Sequence, residues 1–222
     1  MTFSVLALDR RTGAIGGAAA TGNLAVGAWV LRAGAREGAV ATQGLSASTL
    51  WGDEAMRRLA DGEGAETIVD AVTGSDAGRD HRQLAVLDRT GGVAGWTGAE
   101  NPDVKGHICG PNYVIAGNWL SNRDVLGAME TAIMELGGAE CPPLGELLLS
   151  ALDAGVRAGS DSRGTLSAAI QIVRTDQAPV DLRVDYDEAP VARLRTLYDL
   201  ATSPPYADWS RCVPTLDEPH QC

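Results

Sequence analysis

The amino-acid sequence predicts an α+β domain in layers, with helices outside a pair of stacked, mainly antiparallel sheets. Short apolar runs separated by polar turns alternate with pairs of segments that have helical spacing, the order expected when helices cover sheets. Glycine is abundant, at 27 of 222 residues, whereas aromatic residues make up only 5%. This composition favours close approach of backbones over the packing of bulky side chains.

The chain opens with a predicted β-hairpin. Residues 3–8 and 14–20 are apolar runs joined by a short polar turn that ends in glycine. Because side chains alternate along a strand, Thr2 and Ser4 should share one face, with large apolar side chains on the other. The small residues at 16–20 would let another backbone, or a ligand, approach the second strand closely.

The remaining elements follow the same reasoning. The predicted strands are 38–42, 82–88, 93–97, 106–109, 112–116, 165–173 and 180–186. The predicted helices are 50–59, 65–72, 122–136, which Gly137-Gly138 should end, 143–158 and 190–200. We therefore expect one domain over residues 1–201, and a proline-rich tail over 202–222 that wraps the surface or is partly disordered.

Composition limits the classes of function. The net charge of −11, from 29 acidic and 18 basic residues, disfavours binding to nucleic acid and to anionic lipid. Without a long apolar run or a secretion signal, the chain is expected to be soluble and cytoplasmic. The four cysteines have no CxxC spacing, which predicts reduced thiols and neither a metal site nor a redox pair. No cofactor is predicted, and a homodimer is expected because dimers are the commonest assembly.

Signatures of the common hydrolase sites are missing. The stretch 44–48 lacks the final glycine of a GxSxG elbow, and the sequence has neither a Walker loop nor an HExxH helix. Its three histidines, His81, His107 and His220, are interpreted as structural or solvated, which disfavours a Ser-His-Asp triad.

An N-terminal threonine needs no histidine. Its own α-amine, with a pKa of about 7.7–8.0, can serve as the base that activates the hydroxyl. Thr2 becomes such a residue if Met1 is removed. Whether Met1 is removed therefore decides between an enzyme and a binding protein.

Two turns could supply further polar groups. In Gly117-Asn118, the Asn side chain at a strand end could donate to a developing oxyanion, or it could form an ordinary Asn turn. The stretch 160–164 could present Asp161 and Arg163 to a ligand, or it could be a well-bonded turn.

A charged stripe is expected on one predicted strand. Asp181, Arg183 and Asp185 alternate with apolar residues and should share a face. They could form a surface ion-pair ladder, a carboxylate–guanidinium site or, together with Asp187 and Glu188, a weak metal site.

Short stretches distributed in order from Thr2 to about Leu200 carry a resemblance to a known family. They are Thr2-Phe3-Ser4-Val5 and residues 24–27, 38–43, 81–83, 117–118, 161–164, 167–169 and 180–185. Through them, the chain resembles the bacterial family called domain of unknown function 1028. That family is placed with the N-terminal nucleophile hydrolases, so the resemblance implies a four-layer αββα sandwich like that of proteasome subunits.

The resemblance also implies roles for individual residues. Thr2 would be the nucleophile, with its liberated amine as the base and with Asn118 or nearby backbone amides as oxyanion donors. Asp161, Arg163 and Ser167 would belong to the surrounding polar shell. Together with Ser4, Thr21, Asn23 and Arg82, they are the predicted substrate-binding residues.

The chain departs from the family pattern at one point. Relatives carry Ser-Lys or Ser-Arg where this chain has Thr21-Gly22, so a basic group that could lower the pKa of the amine is missing there. An arginine such as Arg32, Arg82 or Arg163 would have to replace it electrostatically, since a permanently charged group cannot shuttle protons.

Three hypotheses follow. The first is an amidohydrolase acting on a small amide-containing metabolite. The second is a non-catalytic αββα module that binds a small ligand or a partner protein. The third is a metal-dependent hydrolase that uses Asp181, Asp185 and Asp187.

Overall fold

A computed structural model describes residues 2–137 and 141–221. The elements, in chain order, are β1 (Thr2–Asp9), β2 (Ala14–Thr21), α1 (Val26–Trp29), β3 (Leu31–Gly34), β4 (Gly38–Gly44), α2 (Thr49–Ala60), α3 (Ala65–Gly74), a 3₁₀ turn (Arg79–His81), β5 (Arg82–Asp88), β6 (Val93–Thr97), β7 (Gly106–Gly110), β8 (Tyr113–Asn118), α4 (Asp124–Leu136), α5 (Leu144–Arg157), β9 (Ser167–Val173), β10 (Val180–Val184), α6 (Pro190–Ala201) and α7 (Tyr206–Ser210).

The strands form two antiparallel sheets. One has six strands in the order β10-β9-β2-β1-β8-β7, and the other has four in the order β3-β4-β5-β6. The predicted first hairpin is confirmed, since β1 pairs with β2. On its other side β1 pairs with β8, which places the strand that begins at Thr2 in the middle of the larger sheet.

Three apolar clusters separate four layers. Phe3 and Val5 of β1 pack with side chains of α4, α5 and α6 on the outer face of the six-stranded sheet. Leu6, on the opposite face of β1, joins the cluster between the two sheets. A third cluster packs α2 and α3 against the four-stranded sheet. The predicted αββα sandwich is therefore confirmed, as is the predicted alternation of faces along β1.

The small residues of β2 allow the close approach that the sequence predicted. A Cβ atom added to Gly16 would lie 2.0 Å from the carbonyl oxygen of Gln171 on β9. One added to Gly17 would lie 2.5 Å from Leu6 Cδ2 on β1. A larger residue at either position would therefore push neighbouring strands apart.

Some parts of the chain differ in detail from the sequence prediction. Ala25 has a left-handed conformation, with φ of 55°, and starts the short helix α1, which the apolar spacing did not indicate. The tail contains α7 and is tied down in part, since the backbone N–H of Asp217 donates to the carbonyl of Thr175. The helix end predicted at Gly137-Gly138 lies partly outside the described residues, because Gly138 is not among them. No helix in the described ranges has the length and apolarity that a bilayer span requires.

Candidate active site

A polar row crosses the six-stranded sheet at the end where β1 begins. The strand registers pair Thr2 with Asn118 and Thr21 with Ser167. The Thr2 hydroxyl donates to Thr21 Oγ1 at 3.2 Å, which joins the two pairs into one row. Because residues directly opposite one another share a face, all four side chains point into the layer between the sheets. All four are buried, Thr2 being 7% exposed.

A second polar row faces the first from the smaller sheet. Gln43, Gln83 and Thr97 are register partners on β4, β5 and β6. The two N–H bonds of Gln83 Nε2 are shared among three acceptors, the carbonyls of Gly106 and Gly117 at 2.8 and 2.9 Å and Thr97 Oγ1 at 2.9 Å. A backbone carbonyl can only accept, so these bonds fix which end of the Gln83 amide is the nitrogen.

The orientation of Gln83 determines that of its neighbours. Its Oε1 must accept, and it does so from Gln43 Nε2 at 2.7 Å and from Asn118 Nδ2 at 3.0 Å. Gln43 Nε2 also donates to the carbonyl oxygen of Thr2 at 3.2 Å, and its Oε1 accepts from Ser4 Oγ at 2.7 Å. Gln43 therefore holds the backbone of Thr2, and Ser4 supports Gln43 from within the core.

This network leaves an acceptor unused beside Thr2. Asn118 Oδ1 is buried and has no hydrogen-bond partner within residues 2–137 and 141–221. A buried polar atom without a partner costs about 1–3 kcal/mol, so it marks a place where a further donor would be stabilising. The predicted oxyanion role of Asn118 would rely on the second Nδ2 hydrogen, because the first is directed at Gln83; that role stays a prediction.

A cleft of about 350 Å³ opens onto the row at Thr2. The described residues that line it are all uncharged: Thr2, Thr21, Asn23, Leu24, Val26, Trp29, Val30, Gln43, Gly44, Leu45 and Ala47. Its polar groups come from the two sheets and from the turn after β2. At its mouth Leu24, Trp29 and Leu45 are 60%, 54% and 52% exposed.

Asp161 and Arg163 brace the turn after β2. The Asp161 carboxylate, whose side chain is fully buried, accepts from the N–H of Gly22 at 2.6 Å and from that of Arg163 at 2.8 Å. The Arg163 guanidinium contacts the same carboxylate at 3.3 Å, donates to Asn23 Oδ1 at 3.2 Å and lies over the Trp119 ring. Both residues thus act on the cleft by holding the turn that forms part of its wall.

The absence of a side chain at Gly22 is part of this arrangement. A Cβ atom there would lie 2.6 Å from the carbonyl oxygen of Gly164 and 2.7 Å from Asp161 Cγ. A lysine or arginine at this position would therefore displace the loop that carries Asp161. Ser167 completes the brace, because its Oγ donates to the carbonyl of Asn23 at 2.8 Å and accepts from the N–H of Val26 at 3.1 Å.

Arg82 lies apart from the other predicted site residues. Its Nε donates to Asp76 Oδ2 at 2.7 Å, and its Nη1 donates to the carbonyl of Ser46. The Arg82 guanidinium is the main reason why the pKa of Asp76 lies below its ordinary value. Arg32 is likewise engaged, with Asp53 at 2.8 Å. Neither arginine is among the described residues that line the cleft at Thr2.

The charged stripe on β10 forms surface pairs. The Arg183 guanidinium contacts Asp185 at 2.9 Å, and Asp181 accepts from Gln171 Nε2 at 3.0 Å. No three His, Cys, Asp or Glu side chains come close enough to hold a metal ion anywhere in the part of the chain that is described. The ion-pair interpretation is therefore favoured, and the metal-hydrolase hypothesis has no support from the described residues.

The sequence analysis missed Gln43 and Gln83. Each is the isolated glutamine of an otherwise largely apolar strand, and that is the signal that could have identified them. His107, which the sequence analysis interpreted as structural or solvated, contacts Thr97 Oγ1 through Nδ1 at 2.9 Å, and burial lowers the pKa of its imidazole. It lies behind Gln83, on the side away from Thr2.

Comparisons with known proteins place the chain in a family. The model of a family of unknown function, DUF1028, matches residues 2–194. The crystal structure of the protein SPO2555 from Silicibacter pomeroyi is similar over 99% of this chain and 98% of that chain, with 45% identity and a TM-score of 0.92. Eukaryotic HslV from Trypanosoma brucei matches 78% of this chain and 99% of its own with 10% identity and a TM-score of 0.43, a likeness too small to support an inference. No curated protein matches. The chain belongs to the DUF1028 family.

Proposed function

We propose that this protein is an N-terminal nucleophile hydrolase that cleaves a small amide, with Thr2 Oγ1 as its nucleophile after removal of Met1. The observation that carries the proposal is the position of the Thr2 hydroxyl. It lies at the start of a central strand and lines a cleft large enough for a small molecule. Met1 itself lies outside the described residues.

The chemistry needs only the atoms of Thr2. The neutral α-amine takes the proton of Oγ1 while Oγ1 forms a bond to the substrate carbonyl carbon. The amine then gives that proton to the leaving nitrogen as the C–N bond breaks, which leaves an ester on Thr2. Water, deprotonated by the same amine, hydrolyses the ester and restores the hydroxyl.

The surrounding network supports this role by restricting Thr2. Gln43 holds its carbonyl and Thr21 accepts from its hydroxyl, so the nucleophile has a defined position before substrate binds. Asn118 Oδ1 offers an acceptor for an N–H of the liberated amine or of the substrate. Only the neutral amine can accept the hydroxyl proton, so activity should rise with pH as the amine loses its own proton.

The test requires a defined N-terminus. The protein is made as a fusion whose specific protease leaves Thr2 as the first residue, and it is compared with a matched protein that has one alanine before Thr2 and with Thr2→Ala. Mass spectrometry follows the hydrolysis of a library of small amides. We expect hydrolysis only with a free Thr2, and a loss of about 10³-fold or more in both controls. Equal hydrolysis by Thr2→Ala would overturn the proposal.

A binding module is the second candidate, favoured by the missing basic residue at Gly22 and by the uncharged cleft. In that case amides would raise the thermal stability of the free-Thr2 protein and would remain intact. The same library therefore separates the two functions, since any product formed requires catalysis.

A further inference from the structure

The cleft at Thr2 differs in charge from the molecule as a whole. The chain carries a net charge of −11, yet no described residue lining this cleft has an acidic or basic side chain, and the α-amine that the proposed chemistry places at Thr2 acts in its neutral form. A charged ligand group would lose water there without gaining a partner of opposite charge, which is unfavourable. The cleft is therefore suited to neutral ligands.

Three large apolar side chains lie at its mouth beside the exposed Asn23, and they come from different segments. Leu24 comes from the turn after β2, Trp29 from the end of α1 and Leu45 from the turn after β4. More than half of each side chain is accessible to solvent. Large apolar side chains gathered at the entrance of one cleft are typical of a binding site for an apolar group.

The backbone holds this mouth in place. Gly44 has φ of 129°, a conformation that turns the chain out of β4, and the N–H of Leu45 then donates to the buried side chain of Asn101 at 2.8 Å. Asn101 in turn donates to the carbonyls of Arg82 and Gly98. The apolar wall at Leu45 is thus built on a bonded loop.

We propose that the cleft selects neutral amides that carry an apolar chain or ring. The polar end of such a molecule would lie at Thr2 and its apolar end at Leu24, Trp29 and Leu45. Thr2 and Gln43 supply polar atoms at the buried inner end, whereas the exposed Leu24, Trp29 and Leu45 supply apolar surface at the entrance. The assignment of the reacting amide rests on the proposed hydrolase, but the preference for neutral, apolar ligands can be measured separately.

Binding is measured first, by calorimetry on Thr2→Ala, which lacks the proposed nucleophile. The probes are hexanamide, its cationic analogue 6-aminohexanamide and the anionic monoamide of adipic acid. We expect hexanamide to bind at least about tenfold more tightly than either charged analogue, and each methylene from propanamide to hexanamide to tighten binding about fourfold. Equal affinity for the charged amides, or no gain with chain length, would overturn the proposal.

A pair of leucine variants tests whether the preference for apolar amides arises at the mouth of the cleft. Leu45→Asp should weaken hexanamide binding about tenfold, and it should weaken binding of the cationic amide less. Leu200→Asp is the matched control, because Leu200 is similarly exposed but lies on α6 in the outer helical layer. If Leu45→Asp changes the mass of the particle in solution and leaves amide binding intact, the apolar mouth is a protein contact and the proposal fails.

Hydrolysis of the same three amides by the free-Thr2 protein distinguishes the two proposals. Preferential binding of hexanamide without any hydrolysis would refute the hydrolase and leave the ligand preference standing. Faster hydrolysis of a charged amide would refute the ligand preference and leave the hydrolase standing.

Discussion

The two ends of β1 both open onto clefts, but the clefts differ in character. The cleft at the Asp9 end is larger, about 460 Å³, and charged residues such as Arg10 and Arg11 line it. The cleft at the Thr2 end is about 350 Å³, and its described lining is uncharged. Size and charge alone would therefore direct attention to the Asp9 end.

The hydrogen bonds, in contrast, direct attention to the Thr2 end. At the Asp9 end Arg10 donates to Asn112 Oδ1 at 2.6 Å, Arg11 contacts Asp9 at 3.2 Å, and the Tyr113 hydroxyl donates to Glu130 at 3.0 Å. The protein thus satisfies these polar groups itself. At the Thr2 end, the described structure leaves Asn118 Oδ1 without a partner. A polar group that the fold leaves unused is a better indicator of a site than volume or charge.

Two asparagines at opposite ends of β8 give the sharpest test of this contrast. Asn118→Ala removes the unused acceptor beside Thr2 and also the amide that donates to Gln83 Oε1, so we expect hydrolysis of amides to fall about 10²-fold and the free energy of unfolding to fall by about 1–2 kcal/mol. Asn112→Gly is the control, because glycine accepts the positive φ of 63° at this position while the bond to Arg10 is lost. It should lower stability by about 1 kcal/mol and leave kcat/KM within about twofold. A similar loss of activity in both variants would contradict the contrast.

Gln83 should matter more for stability than any exposed glutamine. Gln83→Leu leaves the carbonyls of Gly106 and Gly117 and the Asn118 amide without this partner, so the free energy of unfolding should fall by about 3 kcal/mol. Gln171→Leu, a partly exposed position on β9, should change it by less than about 1 kcal/mol. Urea unfolding measures the stability of both variants. Equal losses of stability would show that the hydrogen bonds of Gln83 do not matter more than those of Gln171.

Two Asp–Arg pairs, one buried and one exposed, test the brace of the turn after β2. Asp161→Asn replaces a buried carboxylate oxygen by a donor that faces other N–H groups, so we expect a loss of about 2 kcal/mol in stability together with weaker amide binding. Asp185→Asn breaks the exposed pair with Arg183, and it should cost less than about 0.5 kcal/mol. If Asp161→Asn leaves ligand binding unchanged, the turn does not shape the cleft.

The pH dependence of Asp88 tests a structural carboxylate at the end of β5, outside both clefts. Burial opposes ionisation of Asp88, but hydrogen bonds from Thr90, Gly92 and Ala65 outweigh it and hold its pKa below the ordinary 3.8. A lowered folded-state pKa stabilises the fold fully above about pH 4, and this contribution is lost as the pH falls through the folded value. Asp88→Asn should therefore cost about 1 kcal/mol at pH 7 and progressively less below pH 4, with activity unchanged. A pH-independent difference would contradict this.

The alternation of side chains between the two faces of a strand made part of the candidate site predictable. The period of two and the short first turn predicted that Thr2 faces away from Phe3, and most helix and strand positions followed from apolar spacing. The same period explains the position of Arg82. It precedes Gln83, which faces the inner layer, so the Arg82 side chain leaves the sheet on the side of α2.

The glutamine network could not be predicted in the same way. Gln43 and Gln83 contact Thr2 and Asn118 across two sheets, so their role depends on how the sheets are stacked and not on any local pattern. The brace formed by Asp161 depends on a loop with unusual backbone angles, including φ of 53° at Ser160. Sequence spacing does not encode either geometry.

If Met1 is removed as proposed, the central position of β1 would also limit when that removal can occur. The strand β1 is paired with one that follows at once, β2, and with one made much later, β8. On a ribosome, the N-terminus is therefore fully enclosed only after most of the chain has emerged. An aminopeptidase that acts on an extended terminus would have its opportunity to remove Met1 during synthesis, before β8 docks. Protein that completed folding before this step would keep Met1 and stay inactive under the proposed chemistry.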